Sequence, residues 1–388
     1  MEIYLDNSAT TKIRTEVLEE IKDVYENYYG NPSSLHRKGL QIERKIENAR
    51  KSAAKVINAK SGEVYFTGGG TESNNIAVLG NLLNLYNASN LKTKYNIITT
   101  RIEHPSVYNT IKHFEKNLEV RYLNTDSSGK IHISELKENI DDNTILVSIM
   151  LVNNELGVVQ DIDKIVETVK NKNKRTKIHV DAIQAFGKIK IDTNKTLVDT
   201  ISFSSHKIHG PKGVGGLYIR SGYKINPICF GGNQENGLRP GTENTAGIVG
   251  FGKACELISH DFKFETDKLY DLKKEYGIRL NQEIDDIKIN SDLSREGAPH
   301  ILNVSFKNVR GEVLVHYLED KGIYVSTGSA CSSKVKSDNR ILKAIGLEKE
   351  YVDGTIRISF GYFNNFDEIE YVIDNIKQSV NQIRAIMK

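Results

Sequence analysis

Apolar and polar positions along the chain fall into short strand-like runs separated by helix-like stretches. Ile201 and Phe203 alternate with Ser202 and Ser204, and Glu63–Thr67, Tyr95–Thr100, Lys177–Val180 and Gly216–Ile219 also read as strands. Thr144 to Met150 is a nearly continuous apolar run, as expected of a parallel strand covered on both faces. Helical periodicity runs from Glu16 to about Tyr28, from the Ser33-Ser34-Leu35-His36 start to about Val56, from Asn74 to about Leu85, and from Asp161 to about Lys172. Strands and helices alternate from residue 63 to 219, which predicts an α/β fold with a mostly parallel sheet and right-handed crossovers. A long helix after Asn244, reaching about Tyr276, leads into a second, α+β region. Its strands are expected near Ile287–Ile289, Ile301–Phe306, Ile323–Ser326 and Thr355–Phe360. Its helices are expected near Gly311–Lys321, Arg340–Ile345 and Phe366–Met387. No repeat or low-complexity linker interrupts this pattern.

One tight connection carries the chemistry. After the Ile201 strand, Ser204-Ser205-His206-Lys207 breaks into a turn that closes on Gly210-Pro211-Lys212-Gly213. A lysine there, unlike one on a solvated helix face, can act as a Schiff-base amine if its pKa is lowered. Ser204 and His206 flank it as phosphate donors, and Asp181 ends an earlier strand with Gln184 just beyond. A lysine, an acid to hold a ring nitrogen protonated, and hydroxyl donors are the requirements of pyridoxal phosphate.

Three further stretches fit the same cofactor. Gly68-Gly69-Gly70-Thr71 lies between a strand and a helix start, where backbone amides and the helix dipole cradle an anion. The GxGxxG spacing is missing, so this is not a dinucleotide fingerprint. His104 follows the Tyr95 strand and reads either as a loop histidine held by Pro105 or as a ring that lies on a pyridine and shuttles protons. Asn153-Asn154-Glu155 sits at the end of the Thr144 strand, where doubly wound sheets bind ligands. Near the C-terminus, the small, polar and basic run Ser326–Asn339 reads as a mobile wet loop. Its Cys331 is not a core cysteine, and Lys334 and Lys336 modestly favour its thiolate.

Composition narrows the classes. The 388 residues suffice for two domains, and 38% hydrophobic with 27% charged residues describe an ordinary globular chain. A net charge of +3 argues against a dedicated nucleic-acid binder. Cys229, Cys255 and Cys331 are too few for a disulfide framework and lack CxxC spacing, so no zinc site is expected and a reducing cytoplasm fits. Cys255 and Cys229 read as structural. Met1–Asp6 reads directly as strand-like sequence, so no leader is expected, and without an apolar run of about 18 residues no membrane span is expected.

Taken together, these motifs resemble a NifS/IscS-type cysteine desulfurase, a class V aminotransferase-family member of the long-loop group. They are Tyr4-Leu5-Asp6-Asn7-Ser8-Ala9-Thr10-Thr11, Gly70-Thr71-Glu72-Ser73, Glu103-His104-Pro105, Asn153-Asn154-Glu155, Asp181-Ala182-Ile183-Gln184, Ser204-Ser205-His206-Lys207, Arg239-Pro240-Gly241-Thr242 and Gly328-Ser329-Ala330-Cys331-Ser332-Ser333. They stand in the family's order and cover nearly the whole chain.

The resemblance implies a fold-type I PLP-dependent transferase acting as a homodimer. A large domain would span residues 14–257, and residues 1–13 with 258–388 would form a small domain carrying the loop at about 327–339. Lys207 would hold the cofactor as a Schiff base and Asp181 its ring nitrogen, with Gln184 and Asn154 on the ring-hydroxyl side. Gly70, Thr71, Ser204 and His206 would bind the phosphate together with Thr242 from a second copy, and His104 would stack on the ring. Arg357, in a second role shared with Asn154, would hold the substrate carboxylate. Cys331 would take sulfur from L-cysteine as a persulfide, leave alanine, and pass the sulfur to an acceptor protein, an iron–sulfur scaffold or a tRNA-thiolation enzyme. The family often has Ala where this chain has Gly70. Longer IscS-type members extend beyond the position of Lys388, so docking through such a tail is not expected. The alternatives are a selenocysteine lyase, another fold-type I enzyme such as a small-substrate aminotransferase, or a PLP-bound sulfur-relay scaffold without turnover.

Overall fold

The computed structural model describes residues 2–88, 95–327 and 339–386. The strands are β1 (Ile3–Tyr4), β2 (Val64–Thr67), β3 (Asn96–Thr100), β4 (Glu119–Leu123), β5 (Thr144–Met150), β6 (Lys177–Asp181), β7 (Thr200–Ser204), β8 (Gly215–Ile219), β9 (Ile287–Ile289), β10 (Ile301–Phe306), β11 (Ile323–Tyr324) and β12 (Thr355–Ser359). The first seven helices are α1 (Thr15–Asn27), α2 (Arg37–Val56), α3 (Gly70–Ala88), α4 (Pro105–Lys112), α5 (Ile133–Asn139), α6 (Ile162–Lys172) and α7 (Thr245–Glu283).

Seven strands form one sheet in the order β2-β8-β7-β6-β5-β3-β4. The pairs from β4 through β3, β5 and β6 to β7 are parallel, whereas β8 runs antiparallel to both of its neighbours. Every residue of β3, β7 and β8 is buried, which explains why these strands lack a polar face. Helices cover both faces. On one face Val17, Ile42, Ala53, Val169 and Phe251 join Ile178, Val180 and Phe203 in one core. On the other, Val78, Leu82, Val107 and Ile111 pack on Ile97 and Leu146. The α2–α7 contact is close enough that a Cβ on Gly252 would stand 2.4 Å from Ala49 Cα, so glycine is required there.

A separate core unites the two ends of the chain: Ile3 and Leu5 pack with Leu272, Tyr276, Val304, Phe306, Ile358, Phe360 and Ile376. Strand β1 pairs in parallel with β11, and β12, β10 and β9 form an antiparallel sheet. The α/β architecture expected from the pattern is observed. Several details differ, among them the following. The residues after His104 form α4, because proline suits a first helical turn and His104 itself caps it. Helix α3 begins at Gly70, four residues before the expected Asn74, so Gly70 and Thr71 are its first turn. The periodicity of α7 persists to Glu283, past the expected end near Tyr276.

Candidate active site

The expected residues converge at the C-terminal ends of the parallel strands, where such sheets place ligands. Lys207 follows β7, Asp181 closes β6, Asn153 and Asn154 follow β5, and His104 follows β3. The N-terminal segment crosses this edge: Lys207 Nζ donates to Ser8 O and, at 2.8 Å, to Ala9 O. Thr11 is pinned to His206 O by its backbone amide and its hydroxyl, both at 3.0 Å. Thus the first dozen residues and the Lys207 turn form one unit.

Asp181 is buried and accepts from two fixed donors, Ile183 N–H at 3.0 Å and Asn74 Nδ2 at 2.8 Å. The other hydrogen of that Asn74 amide goes to Ser106 Oγ at 2.8 Å, and Ser106 Oγ lies 2.7 Å from His104 Nδ1. Ser106 N–H also donates to His104 Nδ1, at 3.2 Å. Burial, opposed by Asp181 and reinforced by Lys207 and Arg340, pushes the His104 pKa below the ordinary histidine value. Asn74 and Ser106 were not singled out in the sequence. The only local signal was a polar residue on a helix face turned toward the sheet.

At the phosphate end, Glu72 accepts from Gly68 N–H at 2.9 Å and pairs with Arg239 at 2.8 Å, tying the glycine turn to the Arg239-Pro240-Gly241 segment. A Cβ on Gly70 would meet Ile183 Cδ1 at 2.3 Å, so this turn packs against the residue two beyond Asp181. Thr71 and Thr242 are exposed, whereas Ser204 is buried. His206 lies 3.2 Å from Thr10 Oγ1, and burial beside Lys207, Lys212 and Lys188 pushes its pKa down to about 4, leaving the imidazole neutral. The structure brings Ser204, His206, Lys207 and Asp181 to one edge. Thr242 lies on an exposed stretch just before α7.

The Gln184 amide bridges inward, donating to Ser8 O at 2.9 Å while its oxygen faces His300 Nε2 at 3.1 Å. Arg357 donates to Asn154 O at 2.8 Å and to Asp6 at 2.7 Å. Cys331 and the rest of 328–338 lie outside the described residues. Cys255 is buried, as expected, but Cys229 is exposed: it sits in an irregular stretch beyond β8, so the structural role expected for it is not observed.

Several buried polar atoms of this constellation have no partner among the described residues: Ser8 Oγ, Ser204 Oγ, Asn154 Oδ1 and Arg357 Nε. Unpaired buried polar groups are costly, and a ligand rich in anionic oxygens would satisfy these hydroxyl and guanidinium donors. The residues present fit pyridoxal phosphate: an amine for its aldehyde, an acid held at a strand end, and hydroxyl, imidazole and helix-start donors for its phosphate. Among the described residues no group of His, Cys, Asp and Glu is arranged to hold a metal, and no helix is long and apolar enough to cross a membrane.

A sheet with a lysine, an acid and phosphate-type donors at its carboxyl edge has the residues that a PLP site requires. Residues 3–372 match the aminotransferase class-V family, and the chain belongs to that family. It is 40% identical to a Clostridium botulinum protein named cysteine desulfurase IscS, over 99% of this chain and 96% of the relative. It is also 40% identical to the cysteine desulfurase IscS of Dictyoglomus turgidum, over 99% of this chain and 96% of the relative. Among solved structures, a NifS-like protein superposes with a TM-score of 0.91 at 38% identity, covering 98% of this chain and all (100%) of that one. The structure of SspA in complex with cysteine gives a TM-score of 0.80 at 33% identity, covering 92% and 98%.

Proposed function

We propose that this chain is a PLP-dependent cysteine desulfurase that converts L-cysteine to L-alanine and carries the released sulfur on Cys331. The observation that carries this reading is the placement of Lys207, Asp181 and His104 at the ends of adjoining parallel strands, in a chain closely similar over its length to cysteine desulfurases. When bound, pyridoxal phosphate supplies an electron sink for bond changes at the substrate's α and β carbons.

The chain's own residues divide the remaining work. Asp181, fixed by Asn74 and the Ile183 amide, holds the ring-nitrogen proton. Lys207 would hold the cofactor through its side-chain amine, and the same amine is the base placed to take the substrate Cα proton. Ser204, His206, Gly70 and Thr71, with Thr242 of the partner subunit, hold the phosphate, and Gln184 and Asn154 line the ring-hydroxyl side. Arg357, supported by Asn154, receives the substrate carboxylate. His104 delivers or accepts a proton beside the sulfur. The Cys331 thiolate attacks the substrate sulfur: the Cβ–S bond breaks, an S–S bond forms on Cys331, and the carbon fragment gains protons and leaves as alanine.

The separate core that joins Ile3 and Leu5 to the C-terminal third supports a two-domain division, residues 14–257 against 1–13 with 258–388. The proposed enzyme is a homodimer, in which Thr242, exposed in the single chain, would reach the second copy's phosphate site. The sulfur passes to an acceptor protein, an iron–sulfur scaffold or a tRNA-thiolation enzyme, in the cytoplasm, where thiols stay reduced. The test is incubation of purified protein with L-cysteine, assaying alanine and sulfide, with and without Cys331→Ala. Wild type is expected to make both products, and the variant neither, while still changing its visible absorbance on cysteine addition. A variant that matches wild type removes Cys331 as the nucleophile. A wild type without alanine overturns the desulfurase reading.

A further inference from the structure

Asn74 connects the two groups that the proposed chemistry treats separately. It is fully buried near the start of α3, and its amide contacts residues from three other elements. Its orientation follows from chemistry. Asp181 Oδ2, 2.8 Å away, is an acceptor, so the amide nitrogen must face it. The amide oxygen then faces Ser202 Oγ and, at 3.1 Å, His179 Nε2. Burial pushes the His179 pKa down to about 3, so this ring is neutral. It donates from Nε2 and accepts the Thr200 hydroxyl on Nδ1 at 2.9 Å.

The far end is equally determined. Ser106 Oγ accepts the second Asn74 hydrogen, so one of its lone pairs is taken and its own hydrogen is free for His104 Nδ1. The backbone N–H of Ser106 can only donate, and it also points at His104 Nδ1. Nδ1 is therefore an acceptor, which leaves the single proton of neutral His104 on Nε2. The hydrogen bonds run one way, from Thr200 through His179, Asn74 and Ser106 to His104.

We propose that Asn74 is a positioning residue that, with one amide, fixes the Asp181 carboxyl and, through Ser106, keeps His104 neutral with its proton on Nε2. The assignment rests on the reading of Asp181 and His104 given above, and it adds that their states are coupled through one side chain. A protonated His104 would need a hydrogen on Nδ1, opposing the Ser106 amide and forcing the Ser106 hydroxyl to turn. The charged groups facing the imidazole are Asp181 at the end of β6, Lys207 after β7 and Arg340 of the helix Arg340–Ala344. Changing Ser106 removes no hydrogen bond to any of them, whereas changing Asn74 also takes a donor from Asp181, so Ser106→Ala isolates the effect on His104.

The test is nitrogen-15 NMR of histidine-labelled, cofactor-free protein titrated with acid, the His104 signal being assigned by its loss in His104→Gln. Wild type is expected to show the Nε2–H form and a protonation midpoint below that of an ordinary histidine. Ser106→Ala and Asn74→Ala each ease the proton onto Nδ1, raising the His104 proton affinity about tenfold, the scale of one hydrogen bond. Ser106→Thr, which restores the hydroxyl, returns the wild-type midpoint. Ser106→Ala decides the matter alone if Asn74→Ala does not fold. An unchanged midpoint in Ser106→Ala overturns the proposal, whereas the tautomer is expected to persist there because the residue-106 backbone amide still donates to Nδ1. Because the titration uses no cofactor or substrate, its outcome is separate from whether the protein releases alanine from cysteine.

Discussion

Arg357 Nη2 donates to Asp6 Oδ1 across 2.7 Å, pairing two residues 351 positions apart, with only 5% of the arginine side chain exposed. Its Nη1 donates to Asn154 O, so two fixed acceptors hold the guanidinium in one orientation. Nε has no partner among the described residues. The N-terminal segment thereby aims the group expected to receive the substrate carboxylate.

Arg357→Lys keeps the charge but loses the planar fork. It is expected to raise KM for L-cysteine by roughly tenfold to a hundredfold, the worth of one charge-assisted hydrogen bond. The visible absorbance of bound cofactor stays unchanged. Steady-state kinetics with both proteins decides the point, and an unaltered KM would remove Arg357 from substrate recognition.

Glu103, beside His104, is fully buried. One carboxyl oxygen accepts from Met150 N–H at 3.0 Å and Thr100 Oγ1 at 2.9 Å, and the other has no partner among the described residues. Burial, aided by Asp181, raises its pKa to about 8. The folded chain then keeps a proton that the unfolded chain releases near its ordinary value of 4.5. The resulting stability is present below that value and is lost as pH rises through about 8. Glu103→Gln keeps the acceptor and cannot ionise. Between about pH 5 and about pH 9, wild type is expected to lose on the order of 3 kcal/mol more stability than the variant in denaturant titrations. Parallel pH profiles would show that Glu103 ionises freely in the fold.

Much of the candidate site was legible because its candidate reactive groups sit where short-range signals mark them. Lys207 lies between an alternating strand and a Pro–Gly turn, and Asp181 ends a strand. Their supports were not legible. Asn74 meets Asp181 over a separation of 107 residues and Ser106 over 32, and nothing local distinguishes it from Asn75. His104 illustrates the same limit. The sequence marked it as a loop residue before proline, but its ring nitrogen caps α4, a role that depends on a helix too short to announce itself by periodicity. Strand β4 and helix α5 were missed as well: β4 buries only its last residue, and α5, 7 residues long, buries only Leu136, so neither shows a clear apolar face. His36, which the sequence placed only at the start of a helix, caps α2: its Nδ1 accepts from Gly39 N–H.

Lys188 lies directly behind the reactive turn, where its Nζ donates to the backbone carbonyl of Lys207 at 2.8 Å. Burial, with the charge of Lys207, lowers its pKa from 10.5 to about 7. Between those values the unfolded chain binds a proton that the folded chain does not, so this lysine's contribution to stability grows as pH rises through the window. Lys188→Met removes the titration while keeping a similar apolar stem. It also strips the Lys207 carbonyl of a donor, a cost independent of pH. The stability of wild type relative to Lys188→Met should therefore increase by about 2 kcal/mol between about pH 7 and about pH 9. Denaturant titrations of both proteins at the two pH values measure that difference. A gap that stays constant would mean that Lys188 holds its charge inside the fold, and the Lys207 turn would then rest on a second buried cation.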